Sequence, residues 1–294
     1  MNHNENEERI ARRSAPRRRR KKSNKALYYL ILAVLFGILI FSGWKIISYI
    51  SDQRQSQKQH QQVIDDFVTP TPTPDNSGTQ GGSENTDNTS TENNNKKEEQ
   101  PKKPVVIEPD QLSNIDWEGL KAKYPDVVGY IYCANTGINY PIMQSSSNDF
   151  YLTHGIDGKE NANGAIFMEH LNSSNFSDSN TIIYGHNMKT GNMFAPLQKY
   201  NSQGQSYYDV HPYMYIYTPT QNYRLDLFAG CRVDHDADIY SLSVDESTLA
   251  SYVAKSTFKS STGVPKGKIV TLSTCSYEVS NGRYVVLGEL TPID

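Results

Sequence analysis

Residues 26–44 contain no charged side chain, and this run of nineteen residues constrains the chain more than any other feature. Nineteen helical residues, at about 1.5 Å each, nearly match a hydrocarbon core of roughly 30 Å. Tyr28, Tyr29 and Trp44 lie near its two ends, where amphipathic rings favour the membrane interface. Residues 26–50 therefore predict a transmembrane anchor. A cleaved signal peptide is the alternative, disfavoured because the run is long and no small-x-small site follows it.

The residues before this run are strongly basic. Residues 1–25 hold ten Lys and Arg against three acids, although the formal net charge of the whole chain is -3. Such an arm can bind nucleic acid or anionic lipid. Because an apolar span follows at once, we interpret residues 1–25 as a cytoplasmic tail and expect no nucleic-acid partner. This predicts a single-pass protein of the cell membrane with the remainder outside.

A polar stretch, residues 51–108, follows the predicted anchor. Residues 51–67 are rich in Gln and predict a helical extension with little to bury, whereas residues 68–104 are rich in Pro, Thr, Asn, Gly and Ser and have no aromatic residue. A segment this polar cannot bury enough apolar surface to offset its chain entropy. We interpret it as a disordered linker between the membrane and an extracellular domain at residues 109–294.

The composition of residues 109–294 is typical of a globular domain with a mainly β fold. Short apolar and β-branched runs alternate there with Asn, Gly, Asp and Pro. The eight runs are residues 127–133, 138–143, 164–169, 180–186, 213–218, 223–233, 268–275 and 283–290. Eight short strands with turn signals between them predict a closed or nearly closed β-barrel.

Three helices are predicted around these strands. The first lies within residues 110–124, with Asp116 as its N-cap. The second covers residues 193–200. The third covers residues 245–258 and precedes the cysteine-containing strand. It either forms a wall of a substrate groove or serves as a packing cover.

The chain has three cysteines, and an odd number argues against a complete disulfide framework. Cys133 and Cys231 lie within apolar strand patterns, where a free cysteine behaves as a small hydrophobe. Cys275 instead ends the strand pattern "TLSTC" and precedes a polar turn. Spacing alone leaves open whether Cys275 is structural or a nucleophile.

A nucleophilic thiol needs a partner that favours the thiolate or donates a proton to a leaving group. His186 ends the strand pattern "NTIIYGH", and Arg283 opens the strand pattern after Cys275. The chain has no CxxC, HxxxH or HExxH motif and no glycine-rich nucleotide motif. The sequence therefore predicts no metal site and no cofactor.

The segments "IIYGHNM" and "TLSTC", together with Arg283, resemble the sortases, membrane-anchored cysteine transpeptidases of the bacterial surface. The segments "YPDVVGYIYCANTGINYPIMQSSSNDFYLTHG", "GAIFME" and "YGHNMKTGNMFAPLQKY" follow the class B pattern in order. The resemblance covers about residues 112–290 and implies the eight-stranded sortase-type β-barrel. Ser276 departs from class B members that have an acidic residue there, which leaves open how Arg283 is held.

The resemblance implies roles for six residues. Cys275 would be the nucleophile of a thiol peptidase and acyltransferase, His186 the acid and base, and Arg283 the donor to the oxyanion. The match "SNDFYL" implies that Asn148 and Leu152 line the peptide groove. Ser273, two residues before Cys275 and on the same side of its strand, is a further candidate for substrate contact or for contact with Arg283.

The resemblance also implies partners. These are surface proteins with a C-terminal sorting signal, NPxT-like or related, that is cleaved after Thr, and an amine of a peptidoglycan precursor or cross-bridge. The alternatives are a pilin-linking class B sortase, a cysteine hydrolase without transfer, and a non-catalytic surface binding module in which Cys275 is structural.

Overall fold

A computed structural model describes residues 25–69, 114–275 and 282–293, which form one long helix and a β-barrel with short helices around it. The strands are β1 Val68–Thr69, β2 Asn114–Ile115, β3 Val127–Cys133, β4 Ile138–Met143, β5 Ile166–Met168, β6 Asn180–Tyr184, β7 Tyr213–Tyr217, β8 Asn222–Asp234, β9 Ile269–Cys275 and β10 Gly282–Ile293. The α-helices are α1 Lys25–Phe67, α2 Trp117–Lys123, α3 Phe150–Thr153, α4 Gln198–Ser202, α5 Gln205–Tyr208 and α6 Glu246–Lys255. Two 3-10 turns, Ala195–Leu197 and Asp238–Tyr240, complete the described elements.

Eight strands close the barrel in the order β10-β8-β7-β3-β4-β5-β6-β9, and β9 pairs with β10. The β4–β5 and β6–β9 pairs are parallel, whereas the other barrel pairs are antiparallel. Each of the eight predicted segments overlaps one of these strands, and β8 and β10 extend beyond their segments at both ends, so the predicted eight-stranded barrel is confirmed. Closure leaves this sheet without an open edge for another chain to pair with.

Alternate residues of the strands form the barrel interior. These residues belong to one buried cluster: Ile131, Cys133, Ile138, Tyr140, Ile142, Ile166, Met168, Ile183, Met214, Ile216, Leu225, Leu227, Val270, Leu272, Tyr284 and Val286. Because side chains alternate along a strand, the intervening positions face outwards. A second cluster covers the outer face beside α2, and a third lies beneath α6.

Two predicted helices begin where their capping residues indicate. The Asp116 side chain accepts a hydrogen bond from the Gly119 amide at the start of α2. The Asp245 side chain accepts one from the Thr248 amide at the start of α6. Each carboxylate satisfies an amide that has no partner within its helix, a contribution of about 0.5–2 kcal/mol.

The long helix α1 belongs to two units, because the chain divides at Ile50. In the first unit, α1 carries an 18-residue window of mean hydropathy 2.4, and none of that window is buried. By length and composition it is a candidate membrane-spanning helix, which supports the predicted anchor. Residues 70–113, which include residues 70–108 of the predicted linker, lie outside the described residues, as does the basic tail up to residue 24.

In the second unit, residues 51–67 of α1 bury more surface than their polar composition suggests. Val63 is fully buried in the outer cluster beside α2. The Asn163 amide bonds to Gln53, at 2.5 Å, and to the Ser56 hydroxyl, at 2.9 Å. Next to this helix, β1 pairs with β2. These contacts are long in range, and a glutamine-rich composition gives no sign of them.

His60, also on this part of α1, packs its ring edge-on against Tyr140 at 4.5 Å between centroids. Its Nδ1 is buried without a hydrogen-bond partner among the described residues. Burial lowers the pKa of His60 from 6.5 to about 4, because the cationic ring loses its hydration. A cavity of about 740 Å³ adjoins this contact and includes none of the six candidate site residues in its lining.

We expect acid to destabilise the fold through His60. Between pH 6.5 and about 4 the unfolded chain binds a proton that the folded chain does not. The free energy of unfolding should therefore fall as the pH falls through this window, by about 2–3 kcal/mol. His60→Phe keeps an aromatic ring and should remove this dependence in denaturant titrations at pH 7 and pH 5. His235→Phe, at an exposed position, is the control and should keep it; equal pH dependence of the parent and His60→Phe would contradict this expectation.

Candidate active site

Strands β6 and β9 lie side by side and run in the same direction, with Tyr184 opposite Ser273. His186 lies two residues after Tyr184, and Cys275 lies two residues after Ser273. The Gly185 amide donates to the Ser273 carbonyl at 3.1 Å, which continues the pairing beyond β6. The positions of the predicted nucleophile and its predicted histidine partner are therefore on adjacent strands, at one end of the barrel.

Arg283 joins them from the other side of β9. In the antiparallel β9–β10 pair, Arg283 is directly opposite Cys275. Residues opposite each other in such a pair share a face of the sheet, with Cα atoms about 4.5–5.5 Å apart. Val270 and Leu272 belong to the interior cluster, so Ser273 belongs to the outer face. By backbone pairing, the three positions predicted to be catalytic are thus on neighbouring strands at one end of the barrel.

The backbone of α3 orients the His186 ring. Nε2 of His186 lies 2.7 Å from the carbonyl oxygen of Leu152. A carbonyl can only accept, so Nε2 carries the proton in this contact. The Leu152 carbonyl belongs to the last turn of a helix, where carbonyl groups have no partner within the helix. This contact fixes the orientation of the His186 ring.

The other two cysteines are in the core. Cys133 and Cys231 are both buried and are not in a disulfide. Burial raises the pKa of each thiol to about 12, which leaves almost no thiolate at neutral pH. This confirms the interpretation of both residues as core packing.

A sequence model of the sortase domain family matches residues 131–291 of this chain. Sortase B of Listeria monocytogenes is 32% identical over 265 residues, which cover 87% of this chain and 94% of that protein. The chain belongs to the sortase family. Among solved structures, a Staphylococcus aureus sortase B–substrate complex is 27% identical with a TM-score of 0.55, over 60% of this chain and 85% of that one. Clostridium perfringens sortase B is 29% identical with a TM-score of 0.54, over 60% of this chain and 99% of that one.

These relatives place the chain in class B, as its motifs indicate, and the class implies a cysteine transpeptidase. Sortases act on surface proteins and on amine acceptors of the cell wall, and they work at the cell surface. The individual site residues of this sortase remain predictions, and the structure shows their surroundings.

Ser273 of this sortase is 2% exposed, and its hydroxyl lies 2.8 Å from the Tyr240 hydroxyl. Tyr240 ends the 3-10 turn before α6, and its ring stacks on Tyr184 with 6.2 Å between centroids. The buried side chains of α6, Leu249 and Tyr252, pack instead on the barrel in the cluster beneath this helix. The turn before α6, which the sequence does not predict as part of the site, thus contacts it through the Tyr240–Ser273 hydrogen bond.

The two residues predicted to line the groove have different settings. Leu152 is 38% exposed, so an apolar side chain is presented to solvent beside His186. Asn148 instead bonds through its Nδ2 to Glu169 at 2.6 Å. Glu169 was not predicted, although an acid that ends the apolar strand pattern "GAIFME" is a signal that could have found it.

The Tyr184 hydroxyl also donates to Glu169, at 3.0 Å. Burial, and then the negative charge of Glu169, raise the pKa of Tyr184, whereas the positive charge of Arg283 opposes the rise. Tyr184 therefore stays a neutral donor at every physiological pH. Nη1 of Arg283 donates to the Gly282 carbonyl at 3.1 Å. Ser276, whose departure from the class B pattern leaves open how Arg283 is held, and Glu278, two residues further on, lie outside the described residues.

Within residues 25–69, 114–275 and 282–293, no group of three or more His, Cys, Asp or Glu could hold a metal ion.

Proposed function

We propose that this sortase cleaves a C-terminal sorting signal after Thr, through a thioester on Cys275, and transfers the surface protein to an amine of peptidoglycan. The observation that carries the proposal is that β9 pairs with both β6 and β10, so that the backbone positions of His186, Cys275 and Arg283 are on neighbouring strands at one end of the barrel. Because the chain belongs to class B, we propose an NPxT-like or related signal; a Staphylococcus aureus sortase B has been solved with its substrate.

In the first half-reaction, the sulfur of Cys275 attacks the carbonyl carbon of Thr and forms a tetrahedral oxyanion. As this collapses, the C–N bond breaks and the imidazolium of His186 donates its Nδ1 proton to the leaving amine. The products are a thioester on Cys275, a free C-terminal fragment and a neutral His186. The hydrogen bond from Nε2 to the Leu152 carbonyl holds the ring through this change.

In the second half-reaction, an incoming amine attacks the thioester carbonyl. Neutral His186 accepts a proton from that amine, the C–S bond breaks and a new amide forms. Cys275 returns as a thiolate and His186 as an imidazolium, so the cycle closes without an external acid or base. Transfer requires the amine to reach the thioester faster than water does.

Arg283 has the properties needed to stabilise the oxyanion. Its guanidinium is charged at every accessible pH and offers several donors in a fixed plane. It lies opposite Cys275 across the β9–β10 pair, which supports a role for its positive charge at the carbon that becomes tetrahedral. Losing one preorganised donor of this kind typically costs about 10²–10³ in rate.

The groove contacts of the proposal come from three residues. Leu152 offers exposed apolar surface beside His186, and Asn148 offers an amide held in a fixed orientation. Ser273 lies two positions before Cys275 on the same strand face and is held by Tyr240. We place the sorting-signal peptide along this line of residues, on the outer face of the barrel.

The proposed topology follows from the anchor. The basic residues 1–25 lie on the cytoplasmic side of the span at residues 26–50, and the barrel lies outside, where wall amines are found. A cysteine-labelling reagent that does not cross membranes checks this topology, since it should modify Cys275 in intact cells.

The function is tested on the full chain in detergent with three additions: an NPxT peptide, the same peptide plus triglycine, and triglycine alone. Intact mass should show a thioester adduct with the peptide, and digestion should map it to Cys275. With triglycine present, the ligated product should exceed the hydrolysed one. Hydrolysis alone would favour the hydrolase alternative. If no peptide of any sorting-signal type formed an adduct, the catalytic proposal would be wrong and the binding-module alternative would stand.

A further inference from the structure

A buried carboxylate lies behind the proposed peptide groove. Glu169 directly follows β5 and is 8% exposed. One carboxylate oxygen accepts from Asn148 at 2.6 Å and from the Tyr184 hydroxyl at 3.0 Å. The other accepts from the Leu171 amide at 3.3 Å and lies 2.6 Å from Nδ1 of His170. Burying a carboxylate without hydrogen-bond donors has a high free-energy cost, so these donors are what allow Glu169 to lie buried at this position.

The partners of Glu169 donate hydrogen bonds, and a carboxylate accepts hydrogen bonds through both of its oxygens. This explains why an acid is present. An amide N–H, a phenol and a backbone N–H can all be served by the lone pairs of one carboxylate. A glutamine at this position would direct its NH₂ group, which is itself a donor, at one pair of these donors, where an acceptor is needed. The contact of 2.6 Å with Asn148 is as short as charge-assisted hydrogen bonds are.

Asn148 is held at both ends of its amide. Its Nδ2 donates to Glu169, and its Oδ1 accepts from the His170 backbone amide at 2.9 Å. These two contacts fix which end of the amide is nitrogen and which is oxygen. The second N–H of Nδ2 has no hydrogen-bond partner among the residues that the structure describes. That N–H can therefore be directed towards the carbonyl of a bound peptide.

Tyr184 connects the same carboxylate to the catalytic strand. It ends β6, two residues before His186, and its ring stacks on Tyr240, which bonds to Ser273. Glu169 is thus bonded both to the segment that carries Asn148 and to the strand that leads to His186. A shift of the carboxylate would change the distance between these two parts of the site.

We propose that Glu169 is a positioning residue for peptide recognition, which orients Asn148 towards the sorting signal and fixes it relative to the strand of His186. The inference rests on the proposed function, since it needs the peptide to occupy the groove beside Asn148. Glu169 takes no part in proton transfer and does not touch the reacting atoms.

The test compares Glu169→Gln with the parent, using the full chain, an NPxT peptide and triglycine. We expect kcat/KM to fall about 10- to 100-fold, chiefly through a higher KM, with kcat within about threefold of the parent. Alkylation of Cys275 by iodoacetamide, which needs no peptide groove, should keep the rate of the parent. Glu289→Gln is the matched control, because Glu289 also accepts backbone amides, from Lys266 and Gly267, but away from the site; it should react as the parent does.

A double-mutant cycle with Asn148→Ala separates positioning from a general structural role. If Glu169 acts through Asn148, Glu169→Gln should change KM by less than about twofold once Asn148 is alanine. Additive effects of the two changes would overturn the proposal, as would parent-like kinetics of Glu169→Gln. Should the glutamine variant fail to fold, Glu169→Asp keeps the charge but withdraws it by one methylene, and the same cycle is measured with it.

Failure of this inference can be told from failure of the proposed function. If the parent forms no Cys275 adduct with any sorting-signal peptide, the proposed function itself is wrong. If the parent forms the adduct and turns over, while the Glu169 variants match it, only the role of Glu169 is wrong.

Discussion

Cys275→Ala is expected to abolish both peptide cleavage and transfer, with a loss of at least about 10⁴-fold that reaches the background of the assay. Alanine has no sulfur, so no thioester can form and neither half-reaction has a covalent intermediate to pass through. The fold should survive, because position 275 is the last residue of β9. Turnover is measured by liquid chromatography of the peptide, and the fold by thermal melting.

The matched control is the chain in which the other two thiols are removed, Cys133→Ala together with Cys231→Ala. Both residues are buried, and both have a pKa of about 12. Truncating two buried thiols should reduce the free energy of unfolding by about 1–3 kcal/mol but leave the rate of transfer at the level of the parent. Normal turnover by Cys275→Ala, or loss of turnover in the control with an intact fold, would contradict the assignment of Cys275.

The strands were predictable because a small barrel has a simple repeating pattern. Apolar, β-branched and aromatic residues fill β3, β4 and the middle of β8, which are buried in nearly continuous runs, and polar turns separate the runs, so the eight segments can be read from one sequence. The strand order was not predictable in this way. The parallel pairing of β6 with β9, which places Cys275 beside His186, joins residues about ninety positions apart in the chain and depends on the packing of the whole barrel.

The same limit applies to the groups that support the site. Glu169 bonds to Asn148, and Tyr240 bonds to Ser273. Both partners are distant in the sequence, and a single acid or tyrosine in a sequence does not reveal such a partner. Residues 51–67 of α1 show this limit of sequence-based prediction most clearly. Its polar composition suggests a solvated helix, whereas Val63 is fully buried and Asn163 bonds to two of its side chains.

His186→Ala is expected to lower kcat by about 10²–10⁴-fold in both half-reactions, because the leaving amine loses its proton donor and the incoming amine its acceptor. The Leu152 carbonyl, 2.7 Å from Nε2, loses its partner as well. Added imidazole should restore part of the rate, since it supplies the missing acid and base in a space of the right shape. The bell-shaped dependence of the parent on pH should flatten in the variant. His211→Ala removes a half-buried ring that contacts Tyr207, and it should keep the rate and the pH profile of the parent. A His186→Ala variant with the parent's pH profile would show that another group transfers the proton.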